Sequence, residues 1–314
     1  MKNKHFALFF IYLIILACVG YSQDTLMISR DSVIQRDSVI QNDTMAQVKS
    51  RDLLKNNNIT HTTTPALTFP YDVSFKKDGL ITASAIGVGA LGYLLIDNKH
   101  DITLGELNNK NPDNLPFFDR WSAGYYSKKA DKHSYTIFYA SYLYPVLGML
   151  LNKNHHDKMK QISLLFIETI SITSAMYTLA DGLIYRSRPY VYGNIAPQDL
   201  RMKKRSQRSF YSGHVSTVAA ASFFMARVHK DFKGNAKVQP WLWGIAVALP
   251  AVMSYERIKA GYHFLSDCIV SYGIGAATGL LVPAMHKSKK LQNVSLLPQI
   301  GNGYQGVAFT LHIK

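Results

Sequence analysis

The sequence predicts an all-α protein: a six-helix bundle core, preceded by a disordered N-terminal tether and followed by a short C-terminal β-hairpin. Three observations predict this class. Apolar segments of helical length follow one another from about residue 79 onward. Small residues recur in the first and last of these segments, where they would let helices approach closely. Before them, residues 23–68 are polar and rich in Ser, Thr, Asn and Gln, which is typical of a chain that cannot order itself. The six segments cover roughly residues 80–96, 135–152, 162–185, 214–230, 240–256 and 263–286.

Residues 1–22 have the pattern of a secretory signal peptide. A basic start and an apolar run of leader length precede the small residues Gly20 and Ser22, which suit a cleavage site. Lipid attachment at Cys18 is a weaker alternative, because the residues before it match a lipobox only loosely. The sequence therefore predicts an exported protein of the cell envelope.

The helical domain is predicted to span residues 69–290, and residues 291–314 form a different, β-like tail. Val294–Leu297 and Val307–Ile313 are short runs with strand character, and a turn signal, Gly301-Asn302-Gly303, lies between them. We assign no chemistry to this tail.

The composition narrows the classes of partner. The formal net charge of +15 suits a phosphate, an acidic membrane surface or nucleic acid, although a basic exterior can also serve solubility alone. Nucleic acid is not expected, because the Lys and Arg residues lie in helix connections and no nucleic-acid motif is present. Of the two cysteines, Cys18 lies in the leader and Cys268 in an apolar helix, so neither a disulfide in the mature chain nor a cysteine zinc site is expected.

The first polar cluster at a helix end is Arg186-Ser187-Arg188-Pro189, where the third helix stops. Guanidinium forks suit phosphate oxygens, but basic residues at a helix C-terminus also complement its dipole. The second cluster, Ser209-Phe210-Tyr211-Ser212-Gly213-His214, opens the fourth helix. Its free N–H groups and hydroxyl could hold an anion beside an imidazole, although an ordinary serine cap with a surface histidine has the same pattern.

The third cluster combines Arg257, His263 and Asp267 around the start of the sixth helix. His263 and Asp267 are four residues apart and share a helix face, so the carboxylate could hold one ring nitrogen and leave the other free as a nucleophile. A polar helix start with a simple i,i+4 pair is the alternative for this cluster alone.

In combination, Arg-x-Arg-Pro, Ser-Gly-His and Arg-x5-His-x3-Asp occur in this order at helix ends on one side of the predicted bundle. This combination resembles the type 2 phosphatidic acid phosphatase superfamily, which includes soluble bacterial acid phosphatases and vanadium haloperoxidases. The signature of that superfamily is Lys-x6-Arg-Pro, Pro-Ser-Gly-His and Ser-Arg-x5-His-x3-Asp. The resemblance covers roughly residues 80–287.

The resemblance implies three catalytic residues. His263 would attack phosphorus and carry the phosphoryl group, Asp267 would orient and polarise His263, and His214 would protonate the leaving oxygen and then activate water. Arg188, Arg257, Ser212 and Gly213 would bind the phosphate and stabilise the charge of the transition state. The chemistry implied in this way needs neither a metal nor a cofactor.

The sequence departs from the signature at three positions. The signature lysine falls on Asp181, the proline on Tyr211 and the serine on Glu256. A carboxylate at 181 would repel phosphate, so our hypothesis is that Arg186 supplies the missing cation while Asp181 pairs with a neighbouring arginine.

Two signals for membrane topology conflict. Basic residues cluster in the connections opposite the motifs, which would place those connections in the cytoplasm, yet six crossings after an exported tether would place them outside. Three resolutions stay open: the bundle does not span a membrane, one of the six segments does not cross, or the leader is not a signal peptide. The basic residues concerned are Lys153, Lys158, Lys160, Arg227, Lys230, Lys233, Lys237, Lys287, Lys289 and Lys290.

Three functions stay open on the sequence alone. The first is a phosphatase for a lipid-linked phosphate, such as phosphatidic acid, phosphatidylglycerophosphate, a polyprenyl diphosphate or a lipid A phosphate. The second is a broad-specificity periplasmic acid phosphatase on small soluble esters. The third is a catalytically degenerate envelope protein of the same fold, because of Asp181.

Overall fold

The computed structural model describes residues 70–151, 158–287, 294–301 and 304–311. The predicted signal peptide, residues 1–22, and the tether, residues 23–68, lie outside the described residues. The helical class that the sequence predicts is confirmed. The nine described α-helices are α1 Phe75–Asp97, α2 Leu104–Asn108, α3 Phe117–Arg120, α4 Lys128–Leu151, α5 Met159–Leu183, α6 Gln198–Met202, α7 Gly213–Asp231, α8 Gln239–Lys259 and α9 Leu265–Met285.

Six of these helices, α1, α4, α5, α7, α8 and α9, have 19 to 25 residues. Each overlaps one of the predicted apolar segments. The other three helices and the 3₁₀ turns Pro112–Asn114, Pro189–Tyr192 and Lys204–Gln207 lie in the connections. After the helices, β1 Val294–Gly301 and β2 Tyr304–Leu311 pair antiparallel, with Val294 opposite Leu311.

Helix α7 lies at the centre of the packed helices. All its residues from Val215 to Ala226 are buried, and it packs against α4, α5, α8 and α9. Many of these buried residues are Ala, Ser or Thr, whose short side chains allow neighbouring helices to come close. Ser222 is satisfied inside its own helix, because its hydroxyl donates to the carbonyl of Val218 at 2.7 Å.

The contact between α7 and α9 depends on glycine. A Cβ atom added at Gly275 would lie 2.1 Å from the carbonyl oxygen of Ser216, and one at Gly279 would lie 2.5 Å from that of Ala220. No side chain fits between the two backbones at these points. The close contact fixes the start of α7 relative to the start of α9, where the candidate site lies.

Helix α1 packs on α5 and otherwise turns an apolar face outward. Gly92 of α1 lies directly against the backbone of Thr178 on α5. On the outward face, Leu80, Leu91 and Leu94 are each more than half exposed. Among the described residues, α1, α5 and α9 are long and apolar enough to cross a membrane, which is compatible with membrane association.

Candidate active site

The motif residues lie at one end of the packed helices, where α5 ends and where α7 and α9 begin. The loop between α8 and α9 carries His263. In this loop Gly261 adopts a left-handed conformation with a φ of +80°, which turns the chain. A Cβ atom at Gly261 would lie 1.8 Å from the carbonyl oxygen of Tyr125, so both the conformation and the space require glycine. The carbonyl of Gly261 accepts a hydrogen bond from the N–H of Tyr190 at 3.1 Å, which fixes the loop to the chain after α5.

The imidazole of His263 is buried and held through one nitrogen. Its Nδ1 lies 2.6 Å from the carbonyl oxygen of Ser209. Because a carbonyl can only accept, Nδ1 carries the proton and Nε2 keeps its lone pair in the neutral ring. This is the tautomer that a nucleophile attacking through Nε2 requires.

The second imidazole, His214, lies in the first turn of α7. Its ring packs between two aromatic side chains of α4, with centroid distances of 5.0 Å to Tyr135 and 4.6 Å to Phe138. Its Nε2 is buried and has no hydrogen-bond partner among the described residues. A buried nitrogen of this kind is suited to meeting a group of a bound ligand.

The charges of Arg257 and Arg188 make the surroundings of both imidazoles cationic. Burial lowers the pKa of His214 well below its ordinary value, and the charges of Arg257 and Arg188 lower it further. The pKa of His263 is lowered by the same three causes in the same order, and His214 adds to the effect. Both rings therefore stay neutral at pH 7 in a strongly cationic environment, which would attract an anion.

Both arginines lie over the ring of Tyr262, with their guanidinium carbons 4.3 Å (Arg257) and 4.7 Å (Arg188) from its centroid. Arg257 is 2% exposed and donates from Nη1 to Asp131 at 2.7 Å and to Ser134 at 3.0 Å, whereas its Nε is buried without a partner. Arg188 donates from Nε to the carbonyl of Arg208 and makes no ion pair with a carboxylate of the described residues. The pair therefore keeps a net positive charge available.

Ser212 and Gly213 form the start of α7. The Ser212 hydroxyl accepts from the N–H of Val215 at 3.4 Å, and the Ser212 N–H donates to Ser271 on α9 at 2.7 Å. A Cβ atom at Gly213 would lie 2.9 Å from the ring of Tyr177, so only glycine lets the backbone come this close. Ser212 is thus a helix cap, and the backbone N–H groups after it remain suited to an anion.

The expected contact between Asp267 and His263 is absent among the described residues, and this part of the prediction is corrected. Asp267 instead accepts from the hydroxyl of Ser209 at 2.6 Å, from the N–H of Phe264 at 2.9 Å, and from Arg186. Its link to the imidazole is indirect, because the same Ser209 offers its carbonyl to His263. A spacing of four residues places the two side chains on one helix face only if both lie in the helix, and α9 begins at Leu265.

The hypothesis that Arg186 binds phosphate also needs correction. Its guanidinium is already paired with two buried carboxylates, Asp119 at 2.7 Å and Asp267, and it donates to Ser266 at 2.9 Å. These partners compensate its charge and fix its orientation. Arg186 therefore contributes to the packing of α3, α5 and α9 at the site, and the cationic face is left to Arg188 and Arg257.

Asp181 has the arginine partner that the hypothesis required, and that partner is Arg208. Nε of Arg208 lies 2.7 Å and Nη2 2.6 Å from Oδ2 of Asp181. Tyr177 joins both groups, since its hydroxyl donates to Asp181 and accepts from Arg208, each at 3.1 Å. The carboxylate at this position is thus neutralised locally.

Several residues of the site were not found from the sequence. Asp119 comes from a four-residue helix in a connection, where nothing in its spacing links it to the motifs. Asp131 contacts Arg257 from the start of α4, and Tyr262, which lies inside the third motif, packs its ring against the same guanidinium. Ser209 opens the second cluster, but only the structure reveals its contacts with His263 and Asp267.

A family model described as "PAP2 superfamily" matches residues 162–290, the segment that contains all three motifs. This match supports the type 2 phosphatidic acid phosphatase superfamily for residues 162–290. The superfamily indicates the general class of phosphatases that act on phosphate esters. Searches of curated proteins and of solved structures gave no match. The family assignment made from the motifs is confirmed, while the role of each residue stays a prediction.

Proposed function

We propose that this protein hydrolyses a phosphate monoester or diphosphate, carried by a lipid, through a phosphohistidine at His263. The observation that carries the proposal is geometric: Arg188 and Arg257 both lie over the ring of Tyr262, the residue before His263, at the helix ends where His214 also lies. The six long helices act in this proposal as one bundle that holds the site at its end.

In the first step, Nε2 of His263 attacks phosphorus with its lone pair, and the bond between phosphorus and the ester oxygen breaks. The leaving oxygen takes a proton from His214, so an alcohol departs and the phosphoryl group stays bonded to nitrogen. His214 is neutral in the free enzyme and gains this proton when the phosphate anion arrives, because an anion beside the ring raises its pKa.

In the second step, His214, now neutral again, takes a proton from water. The oxygen of that water attacks phosphorus, the bond between phosphorus and nitrogen breaks, and inorganic phosphate leaves. Arg188, Arg257 and the N–H groups at Gly213 would stabilise the charge on the phosphoryl oxygens in both steps. Asp267 would be a positioning residue, since it holds Ser209, whose carbonyl fixes the tautomer of His263.

Two surface features support a lipid-linked substrate. Phe117, Phe118 and Trp121 are exposed aromatic side chains in and next to α3, the helix whose Asp119 contacts Arg186 at the site. Exposed aromatic residues of this kind prefer the membrane interface. An open apolar groove of about 560 Å³ runs between α8 and α9 and is lined by Trp121 and Leu265 among others, which suits an acyl or prenyl chain.

The proposed location is the cell envelope, either integral to a membrane or periplasmic and membrane-associated. The outward apolar face of α1 supports contact with lipid. Export rests on the predicted signal peptide alone.

The test is a phosphate-release panel of lipid phosphates, prenyl diphosphates and soluble esters, comparing the full chain with His263→Ala. We expect turnover to fall by about a thousandfold or more, because the nucleophile is lost. His133→Ala is the matched control: this imidazole lies on the surface beside Glu256, 4.0 Å away, and its loss should leave turnover within about twofold.

His214→Ala separates the two steps. With an alkyl ester, whose leaving oxygen needs a proton, the rate should fall by about 10²- to 10⁴-fold. With an aryl ester, whose leaving group needs no proton, the first step should survive and an acid-labile phosphoenzyme should accumulate. Turnover that survives the loss of His263 would contradict the mechanism. Turnover of soluble esters only would favour the soluble phosphatase, and no turnover of any ester would favour the degenerate envelope protein.

A further inference from the structure

A second cluster of ionisable side chains lies at the end of the helices opposite His263. Asp78 is in the first turn of α1, Glu168 is in the first half of α5, and His286 follows the end of α9. One ligand atom from each lies within 4.8 Å of the other two. Nε2 of His286 is 3.3 Å from Oδ1 of Asp78 and 3.6 Å from Oε2 of Glu168.

The hydrogen bond on the far side of His286 fixes what faces the carboxylates. Its Nδ1 lies 2.8 Å from the carbonyl oxygen of Val282, so Nδ1 must be the donor. A neutral ring would then point the lone pair of Nε2 at two carboxylates. Either a proton or a metal ion must lie at Nε2, and a ring nitrogen that donates to a backbone carbonyl is the usual support of a metal-binding histidine.

Glu168 gives a second and independent observation. It is 2% exposed, and its Oε2, the oxygen that faces His286, has no hydrogen-bond partner among the described residues. Asp78 is 1% exposed, and its Oδ2 accepts from the N–H of Ser74 at 2.8 Å, which leaves Oδ1 directed at the cluster. Burial raises the pKa of Glu168, so its carboxylate is costly to ionise without a cation beside it. When both carboxylates are ionised, one protonated imidazole leaves a net negative charge, which a divalent cation would compensate.

We propose that Asp78, Glu168 and His286 bind a divalent transition-metal ion, with Zn²⁺ as the fitting probe. Metal–ligand bonds of about 2.0–2.2 Å in a tetrahedron place neighbouring ligand atoms about 3.3–3.6 Å apart. The two separations from Nε2 already have these values. One imidazole and two carboxylates leave a fourth position for water.

The consequence of this site would be structural. Its ligands come from α1, α5 and the end of α9, and α1 otherwise packs mainly on α5. A metal ion would therefore fasten the start of α1 to two other helices. The phosphatase mechanism uses none of these residues, so the two proposals can fail separately.

The experiment uses the full chain in detergent, stripped with a chelator and then desalted. Calorimetric titration with Zn²⁺ should show one high-affinity equivalent, and Zn²⁺ should raise the midpoint of thermal unfolding. Glu168→Gln and His286→Gln should each weaken this binding at least tenfold and abolish the thermal shift. His133→Gln is the matched control, because it removes an imidazole near a carboxylate at the surface, and it should bind Zn²⁺ like the wild type.

Circular dichroism and gel filtration establish that each variant is folded before titration. If a folded wild type binds no stoichiometric Zn²⁺, or if Glu168→Gln and His286→Gln bind it as tightly as the wild type, the proposal is overturned and the cluster is a protonated histidine between carboxylates. Phosphatase assays distinguish failure of the metal site from failure of the proposed function. Glu168→Gln should keep turnover within about twofold at low temperature, whereas His263→Ala should keep Zn²⁺ binding.

Discussion

The two ends of the helices place histidine in opposite electrostatic surroundings. At the site end, His214 and His263 share their space with Arg188 and Arg257. At the far end, His286 lies between two buried carboxylates. Histidine side chains are thus suited to contact an anion at one end and a cation at the other. The charges of the neighbouring side chains determine which of the two ions is favoured.

The difference follows from where the charged partners come from. The guanidiniums are supplied near helix C-termini, by Arg188 after α5 and by Arg257 in the last turn of α8. The carboxylates Asp78 and Glu168 are built into apolar helices, where a buried charge is costly and needs a partner. Arginines near helix ends can therefore bind an anion, whereas the buried pair of Asp78 and Glu168 needs a cation to balance its charge.

The largest effect is expected from Asp181→Asn, which removes the carboxylate that stands where the signature has a lysine. The variant leaves Arg208 without its carboxylate, and loss of one partner of a buried pair costs about 3 kcal/mol of unfolding free energy. Denaturant unfolding of the full chain measures this cost. Asp113→Asn, at an exposed position, is the control and should be nearly neutral.

The double variant Asp181→Asn/Arg208→Gln sharpens this result. If the uncompensated guanidinium is the cause, removing it should restore most of the lost stability. A double variant that is no more stable than Asp181→Asn would mean that the ion pair is not what the carboxylate provides.

A smaller effect is expected from Gly275→Ala, which disturbs the close packing of α9 on α7. The new methyl group would meet the carbonyl oxygen of Ser216, so we expect a loss of about 1–3 kcal/mol. Gly273→Ala on the same helix is the control, because no atom lies within 4 Å of its added Cβ. Equal stability of the two variants would show that α7 and α9 are not in close contact.

The smallest effect is a shift of the pH profile in Arg188→Gln. Arg188 lowers the pKa of both imidazoles, so its removal raises both. His263 must be neutral to attack, and His214 must be protonated to help the leaving group, so both limbs of kcat/KM should move to higher pH. His286→Gln, at the other end, should leave the limbs in place. If Arg188→Gln leaves the pH profile unchanged, the charge of Arg188 does not influence the pKa values of the two imidazoles.

The motifs allowed much of the site to be predicted, but the roles of two residues changed in the structure. The motif spacing, which matches the signature of the superfamily, identified Arg188, Arg257, His214 and His263. Asp267 and Arg186 were assigned to His263 and to phosphate, and the structure pairs them with each other. Asp119, which completes that pairing from a distant connection, has no sequence signal that would have revealed it.

The sequence by itself determined the helical class, the superfamily and the end of the helices where the motifs lie, because apolar periodicity and motif spacing are local properties. Only the tertiary structure decided which charges meet. Ion pairs such as Arg186 with Asp119, Arg208 with Asp181 and His286 with Glu168 join residues 67, 27 and 118 positions apart. Their energies depend on distance and burial in space, and those are fixed when the helices pack.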